Sequence, residues 1–258
     1  MNRALAIVIA AVIVAGAAAV ALYFWKDSHP PLLPPPPRVE APPPEPAPPA
    51  GPRNPVSVET PEKPLPPLKM SDGDVREALA SALPPSALER LVFEDFIRRV
   101  VATIDNLPRE QYAARLNPVQ AVPGVPRTVG KDNALTWSPD NSMRYAPFMA
   151  AFNATDTTKL VAVYRKFYPL FQEAYVQLGY PDGYFNDRLV EVIDHLLATP
   201  DVRGPIALVQ PKVLYEFADP DLQRRSAGQK VLIRLGPENA AKVKAKLRDL
   251  RSQVARVP

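Results

Sequence analysis

Apolar residues run unbroken from Ala4 to Trp25, a stretch of twenty-two positions. At about 1.5 Å per residue this makes roughly 33 Å of helix, enough to cross a hydrocarbon core of about 30 Å. The pattern predicts a transmembrane signal anchor over residues 1–26, with Tyr23, Phe24 and Trp25 at the membrane interface. A cleaved signal peptide is the competing reading, because Arg3 supplies a basic start and Ala15, Ala17 and Ala19 offer cleavage sites. The apolar run continues past those alanines, which favours the uncleaved anchor.

Between residues 30 and 67, eighteen of thirty-eight positions are proline, so no core can form there. Proline fixes φ and removes the amide donor, and such a stretch favours extended polyproline II. Residues 27–68 are therefore expected to form a disordered proline-rich linker. Several P-x-x-P patterns leave a second use open, as ligands for proline-recognising modules.

From residue 69 the apolar positions fall into helical period. Ser71, Asp72 and Asp74 precede Val75, Ala78, Leu79 and Leu83, which reads as a cap and a first helix. Leu88, Leu91, Val92, Phe96, Val100 and Ile104 predict a second helix from about Ser86 to Asn106. Pro123, Gly124, Pro126 and Gly130 break any period over 117–140, an extended loop expected to pack across the helices. After Thr155 and Asp156 comes the clearest stripe: Leu160, Val163, Tyr164, Phe167, Phe171, Ala174, Tyr175 and Leu178. It survives Pro169, so one helix kinked near Phe167 is expected. Another should start near Tyr184, bury Leu189, Val192, Ile193, Leu196 and Leu197, and stop before Pro200.

Residues 206–217 are rich in β-favouring side chains and are the one candidate for strand. A helix from Asp219 through Leu235 and a last one after Gly236 and Pro237 complete the set. Val243, Leu247, Leu250, Val254 and Val257 form a seam on the last helix, while Lys242, Lys244, Lys246, Arg248, Arg251 and Arg256 cover its basic back. The basic back reads first as a solvated face and second as a surface for a partner or an anionic layer. The fold class expected is mainly α: a multi-helix bundle over 69–258 with a possible short β element, preceded by the membrane helix and the linker.

Composition removes several chemistries. There is no cysteine, so thiol nucleophiles, thiolate metal sites and disulfides are excluded. A formal net charge of +4, spread over 258 residues, does not predict nucleic-acid binding, and no nucleic-acid partner is expected. His195 is the one histidine beyond the linker, too few ligands for a metal site, and no metal or other cofactor is expected. The low-ranking catalytic candidates are His195 with Asp194 and Glu191, or a carboxylate pair drawn from Glu173, Asp182, Asp187 and Asp194, in a cell-wall glycan or peptide hydrolase. No G-x-S-x-G nucleophile motif supports them. A candidate binding surface takes Arg98, Arg99, Arg144, Tyr145, Tyr168, Tyr180, Tyr184, Asn186 and Arg188.

The run from Tyr164 to Tyr175, the strings Leu178-Gly-Tyr-Pro181, Phe185-Asn-Asp-Arg188 and Ile193-Asp-His-Leu-Leu197, and the segments Asp105-Asn-Leu-Pro-Arg109, Tyr215-Glu-Phe-Ala-Asp-Pro220 and Ala227-Gly-Gln-Lys230 resemble a bacterial membrane-anchored family catalogued as domain of unknown function 3014. The resemblance spans Leu65 to Arg251. It implies a bacterial origin and an anchored arrangement, and brings no activity or assigned site residue. The expectation is a single-pass inner-membrane protein, anchored in the bilayer through residues 4–25, with its C-terminal domain periplasmic. It is expected to be a non-enzymatic binding or scaffolding module for an envelope protein or cell-wall partner. Ala11, Ala15 and Ala19 are spaced for helix pairing, which admits a homo-oligomer.

Overall fold

The computed structural model describes residues 51–57, 63–111, 113–131 and 134–255, all within the unit Pro49–Pro258. Its first helices are Asp72–Leu79 (α1), Pro85–Leu88 (α2) and Phe96–Asn106 (α3). The single helix expected over 86–106 is thus two helices with an extended join. Within that join Val92 N donates to Pro118 O at 2.9 Å, Gln120 N donates to Arg90 O at 2.8 Å, and Leu91 bridges Val119. Part of the proline-rich loop therefore supplies the backbone partners that a continuous helix would have supplied itself. Asp95 restarts the chain in the left-handed region at φ 54°, a conformation Asp tolerates better than bulkier residues.

Asp72 closes this arrangement. Its two carboxylate oxygens accept the amides of Asp95 and Phe96, each at 2.9 Å, so a residue at the start of α1 caps α3. Ser71 donates instead to Leu68 O at 2.9 Å and caps nothing with its side chain.

Two short antiparallel hairpins form, one within the expected strand stretch 206–217 and one within 117–140, where the broken period predicts only an extended loop. Thr128–Val129 (β1) pairs with Thr136–Trp137 (β2), and Leu208–Val209 (β3) pairs with Glu216–Phe217 (β4). Trp137 N to Ile206 O and Leu208 N to Leu135 O, both 2.8 Å, lace the hairpins together. Between them in sequence lie Asn141–Arg144 (α4), Ala146–Asn153 (α5), Thr157–Gln177 (α6) and Phe185–Leu197 (α7). Helix α6 runs through Pro169 without a break, with Asp156 capping it through Lys159 N at 3.0 Å. The chain ends in Pro220–Gln223 (α8), Ala227–Arg234 (α9) and Pro237–Val254 (α10). The helix expected from Asp219 to Leu235 is interrupted at Ser226, whose hydroxyl accepts Gln229 N and starts α9 afresh.

Helices α3, α6, α7 and α10 form the body of the bundle, with α1 laid on α6 and α9 against α7 and α10. Phe167 and Phe185, each 1% exposed, sit in the largest core cluster with Ile97, Val101 and Val75. A second cluster joins Val161, Val190 and Ile193 to Val254 of the last helix. Phe217, Leu208 and Ile233 seat the hairpins on α9.

The basic back of α10 is partly turned inward. Lys244 is 6% exposed and donates at 2.7 Å to both Thr199 O and Asp201 Oδ1, just past the end of α7. Lys246 donates to Phe152 O at 2.7 Å and Thr155 O at 2.6 Å, at the end of α5. Both ammonium groups answer carbonyls left over at a helix C-terminus, where cations are favoured.

The membrane expectation is corrected. No helix among the described residues is long and apolar enough to cross a membrane. The longest, α6, carries Lys159, Arg165, Lys166 and Glu173 opposite its buried stripe, which makes it amphipathic. The span expected at 4–25, with Tyr23, Phe24 and Trp25 at its end, lies outside the described residues. What the structure supports is a mainly helical bundle with short strands. The single-pass topology, the bilayer as partner and the inner-membrane, periplasmic placement are withdrawn with the transmembrane helix.

Candidate functional site

Asp105 stands near the end of α3, 1% exposed. Its Oδ1 accepts Arg188 Nε at 3.0 Å, and its Oδ2 accepts Arg109 Nη2 at 2.7 Å and the Tyr180 hydroxyl at 3.2 Å. Arg188 Nη2 also donates to the Asp105 carbonyl at 3.0 Å, and its Nη1 reaches Glu191 at 3.4 Å. Glu191 in turn pairs with Arg53. A buried carboxylate is tolerated only when paired and hydrogen-bonded, and here both conditions are met.

The neighbours of Arg188 face other parts of the chain. Asn186 accepts the Tyr164 hydroxyl at 3.0 Å and donates to Val254 O at 2.8 Å and Asn54 O at 2.9 Å. Asp187 accepts the backbone amides of Arg53 at 2.9 Å and Asn54 at 2.7 Å, and the Asn54 amide group at 3.0 Å. Three consecutive residues at the start of α7 thus hold the end of α10, the segment 51–57 and the end of α3. Residues 51–57, which composition assigns to the linker, lie along α7 through these bonds. Burial pushes the Tyr164 phenol far above its usual range, as expected of a hydroxyl that serves only as a donor to Asn186.

His195, Asp194 and Glu191 point to different partners. Asp194 receives Arg251 through Nε and Nη2, and Glu191 belongs to the Arg188 and Arg53 pairs. His195 Nε2 lies 2.8 Å from Ser226 Oγ, beside a polar pocket of about 370 Å³ that Glu110, Arg225 and Gln229 also line. Burial, then Arg188 and Arg225, lower the His195 pKa, which favours neutral imidazole. A serine–histidine contact is half of a nucleophilic site. The other half needs free amides for an oxyanion, yet Ala227 N donates to Arg109 O at 2.7 Å and Gly228 N to Leu107 O at 2.9 Å. Ser226 is also the cap of α9. Among the described residues no group of three His, Asp or Glu side chains could hold a metal.

A different cavity has uncommitted chemistry. It measures about 380 Å³ and lies between α2, α5, α6 and α10, with Ala87, Phe148, Ala151, Leu160, Leu247 and Leu250 among its walls. Arg90 lines it as well, with its guanidinium 4.4 Å from the centre of the Phe148 ring. Arg90 Nε is the buried side-chain polar atom that has no hydrogen-bond partner among the described residues. Lys246, the other cation on the wall, is committed to Phe152 O and Thr155 O, and burial lowers its pKa.

The family model described as "Protein of unknown function (DUF3014)" matches residues 96–251. The chain belongs to this family. No curated protein and no solved structure matches it. The membrane-anchored description that accompanied the resemblance is corrected by the fold, which has no membrane-crossing helix among its described residues. The DUF3014 stretch contains Asp105 with its partners Arg109, Tyr180 and Arg188, residues 186–188, and the contact of His195 with Ser226. It begins after Arg90 and α2.

The remaining expected surface residues of this DUF3014 chain are divided among separate places. Arg98 pairs with Asp95 at 2.8 Å and donates to Gln177 at 3.0 Å. Arg99 donates to Glu94 O and Arg115 O, both at 2.6 Å. Arg144 holds the loop at Pro123 O and Gly124 O, at 3.1 and 2.7 Å, and burial raises the neighbouring Tyr145 phenol. Tyr168 donates to Gln172 at 3.2 Å, Tyr180 stacks on Tyr175 at 4.6 Å, and Tyr184 is the residue before α7. The structure gathers Tyr180 and Arg188 at Asp105, turns Asn186 toward Tyr164, Asn54 and Val254, and gives Arg144 to another loop. Arg90 lies in the stretch 86–106 whose spacing predicts one helix, where an arginine beside apolar positions reads as solvated. Its one signal was an arginine inside Leu88-Glu-Arg-Leu-Val-Phe93, a short apolar run broken by two charges.

Proposed function

We propose that this protein is a non-enzymatic binding module, and that its ligand enters the cavity between α2, α5, α6 and α10. The observation behind this reading is the Arg90 guanidinium, unpaired among the described residues, on the wall of an apolar cavity of about 380 Å³. Small-molecule sites typically span about 300–1,000 Å³, with apolar walls and a few polar groups that fix orientation. The Asp105 network offers no such opening, since each of its groups is satisfied by another part of the chain.

Titration of the full-length chain with the neutral, environment-sensitive dye N-phenyl-1-naphthylamine tests the reading. One saturable site is expected, and Ala87→Trp, which fills the cavity from α2, should remove it. A chain with no saturable site, or one whose site is unchanged in Ala87→Trp, does not use this cavity.

A hydrolytic reading would rest on the 2.8 Å contact between His195 and Ser226. Its nearby amides are taken by Leu107 and Arg109 carbonyls, and neither Asp194 nor Glu191 bonds to His195, so binding remains the proposal. Release of fragments from glycan or peptide substrates by the full chain, abolished in His195→Ala, would reverse that choice.

A further inference from the structure

We infer that the ligand of this cavity is a single-chain acyl carboxylate, its carboxylate paired with Arg90 and its tail running between Leu160 and Leu250 into the centre of the bundle. The inference rests on the binding reading above and adds to it the chemistry and the path of the ligand.

The path comes from a second cavity. A wholly apolar space of about 190 Å³ lies among Val75, Phe96, Phe167 and Phe185 in the largest core cluster. Leu160 and Leu250 belong to the walls of both spaces. Two leucines are thus the partition between an outer cavity of about 380 Å³ and an inner one of about 190 Å³. Leucine side chains change rotamer at modest cost, so the partition can open for a narrow chain without moving a helix. A rigid polycycle would have to displace α6 or α10 to enter the inner space. A flexible hydrocarbon would not.

The head group comes from charge. No aspartate or glutamate lines either cavity. The Arg90 guanidinium stacks on Phe148, has no ion pair among the described residues, and keeps a buried Nε without an acceptor. A buried donor without an acceptor is destabilising, and a planar guanidinium is matched best by a carboxylate that takes two parallel N–H bonds. Lys246 does not compete for it, because its ammonium is held by the carbonyls at the end of α5.

The test uses the full-length chain and dodecanoate labelled with carbon-13 at the carboxyl, kept below its micelle concentration, with octanoate and dodecanol as companions. Dodecanoate should bind in one saturable site with a shifted carboxyl resonance. Affinity should rise roughly three- to fourfold per methylene from octanoate to dodecanoate. Arg90→Gln should weaken dodecanoate at least tenfold, Arg90→Lys should restore part of the loss, and neither should alter dodecanol. Leu250→Trp should cancel the gain from the longer chain, and the length series in the unaltered protein tests the same point if that variant fails to fold. Dodecanol binding with no preference for dodecanoate overturns the carboxylate assignment while leaving the cavity as a binding site. Equal affinities for octanoate and dodecanoate overturn the path past Leu160 and Leu250. No binding by any of the three overturns both this inference and the binding reading at this cavity.

Discussion

Asp105 and Arg188 meet at 3.0 Å across 83 residues of sequence, joining the end of α3 to the first turn of α7 in the interior of the bundle. Asp105→Ala would leave Arg188, itself a quarter exposed, with its main partner gone. Breaking one side of such a pair costs about 3–5 kcal/mol. The expected result is a large drop in the urea midpoint, with a smaller drop for Asp105→Asn, which keeps an acceptor oxygen. A midpoint unchanged in both variants would show that the network adds nothing to stability.

Asp187 should hold residues 51–57 on the bundle. Asp187→Ala removes the acceptor of three donors from Arg53 and Asn54. Hydrogen exchange at the Arg53 and Asn54 amides should quicken, and trypsin should cut after Arg53 sooner, while the protection of α6 stays as it was. Equal exchange at these two amides in both proteins would count against the contact.

Gly228 is required by packing rather than by turn geometry. A Cβ there would lie 2.6 Å from Leu196 Cδ2 and 3.2 Å from the Leu107 carbonyl oxygen. The leucine tip can move, but the carbonyl is held by the Gly228 amide at 2.9 Å. Gly228→Ala should destabilise by about 1–3 kcal/mol and Gly228→Val by more, read as a fall in thermal midpoint.

His195 should make stability depend on pH. Its folded pKa is lowered, chiefly by burial and further by Arg188 and Arg225, so the unfolded chain binds the proton first as pH falls. Stability is unaffected above about pH 6.5 and declines below it until folded His195 itself takes up a proton. His195→Gln should flatten that part of the profile relative to the unaltered chain. Glu110, on the same pocket wall, is common to both proteins and cancels in the comparison. Parallel profiles between about pH 7 and 5 would mean that His195 is not the group responsible.

Much of the helical framework was legible locally. The stripe from Leu160 to Tyr175 gave α6 through Pro169, because helix-period burial outweighed one missing amide. The seam through Val243, Leu247 and Leu250 gave α10 for the same reason. The helix expected across 86–106 failed because the period of Leu88, Leu91 and Val92 says nothing about Pro118 and Gln120, whose backbones claimed that segment. Ser71 and Asp72 carried a cap signal that local rules read correctly as to type and wrongly as to helix, since Asp72 caps α3. Lys244 and Lys246 looked solvated because their partners are carbonyls at the ends of α7 and α5.

By itself the sequence determined the long helices α6, α7 and α10, that thiol chemistry is absent, and that the chain belongs with DUF3014. Those properties follow from spacing and residue type over a few turns. Only the tertiary structure decided which polar groups are satisfied and which remain available. Asp105, Asp187 and Lys244 find their partners tens of residues away, while Arg90 is left facing apolar walls assembled from four helices. A polar side chain's role is set by what is packed beside it, and helical periodicity contains no information about that neighbour.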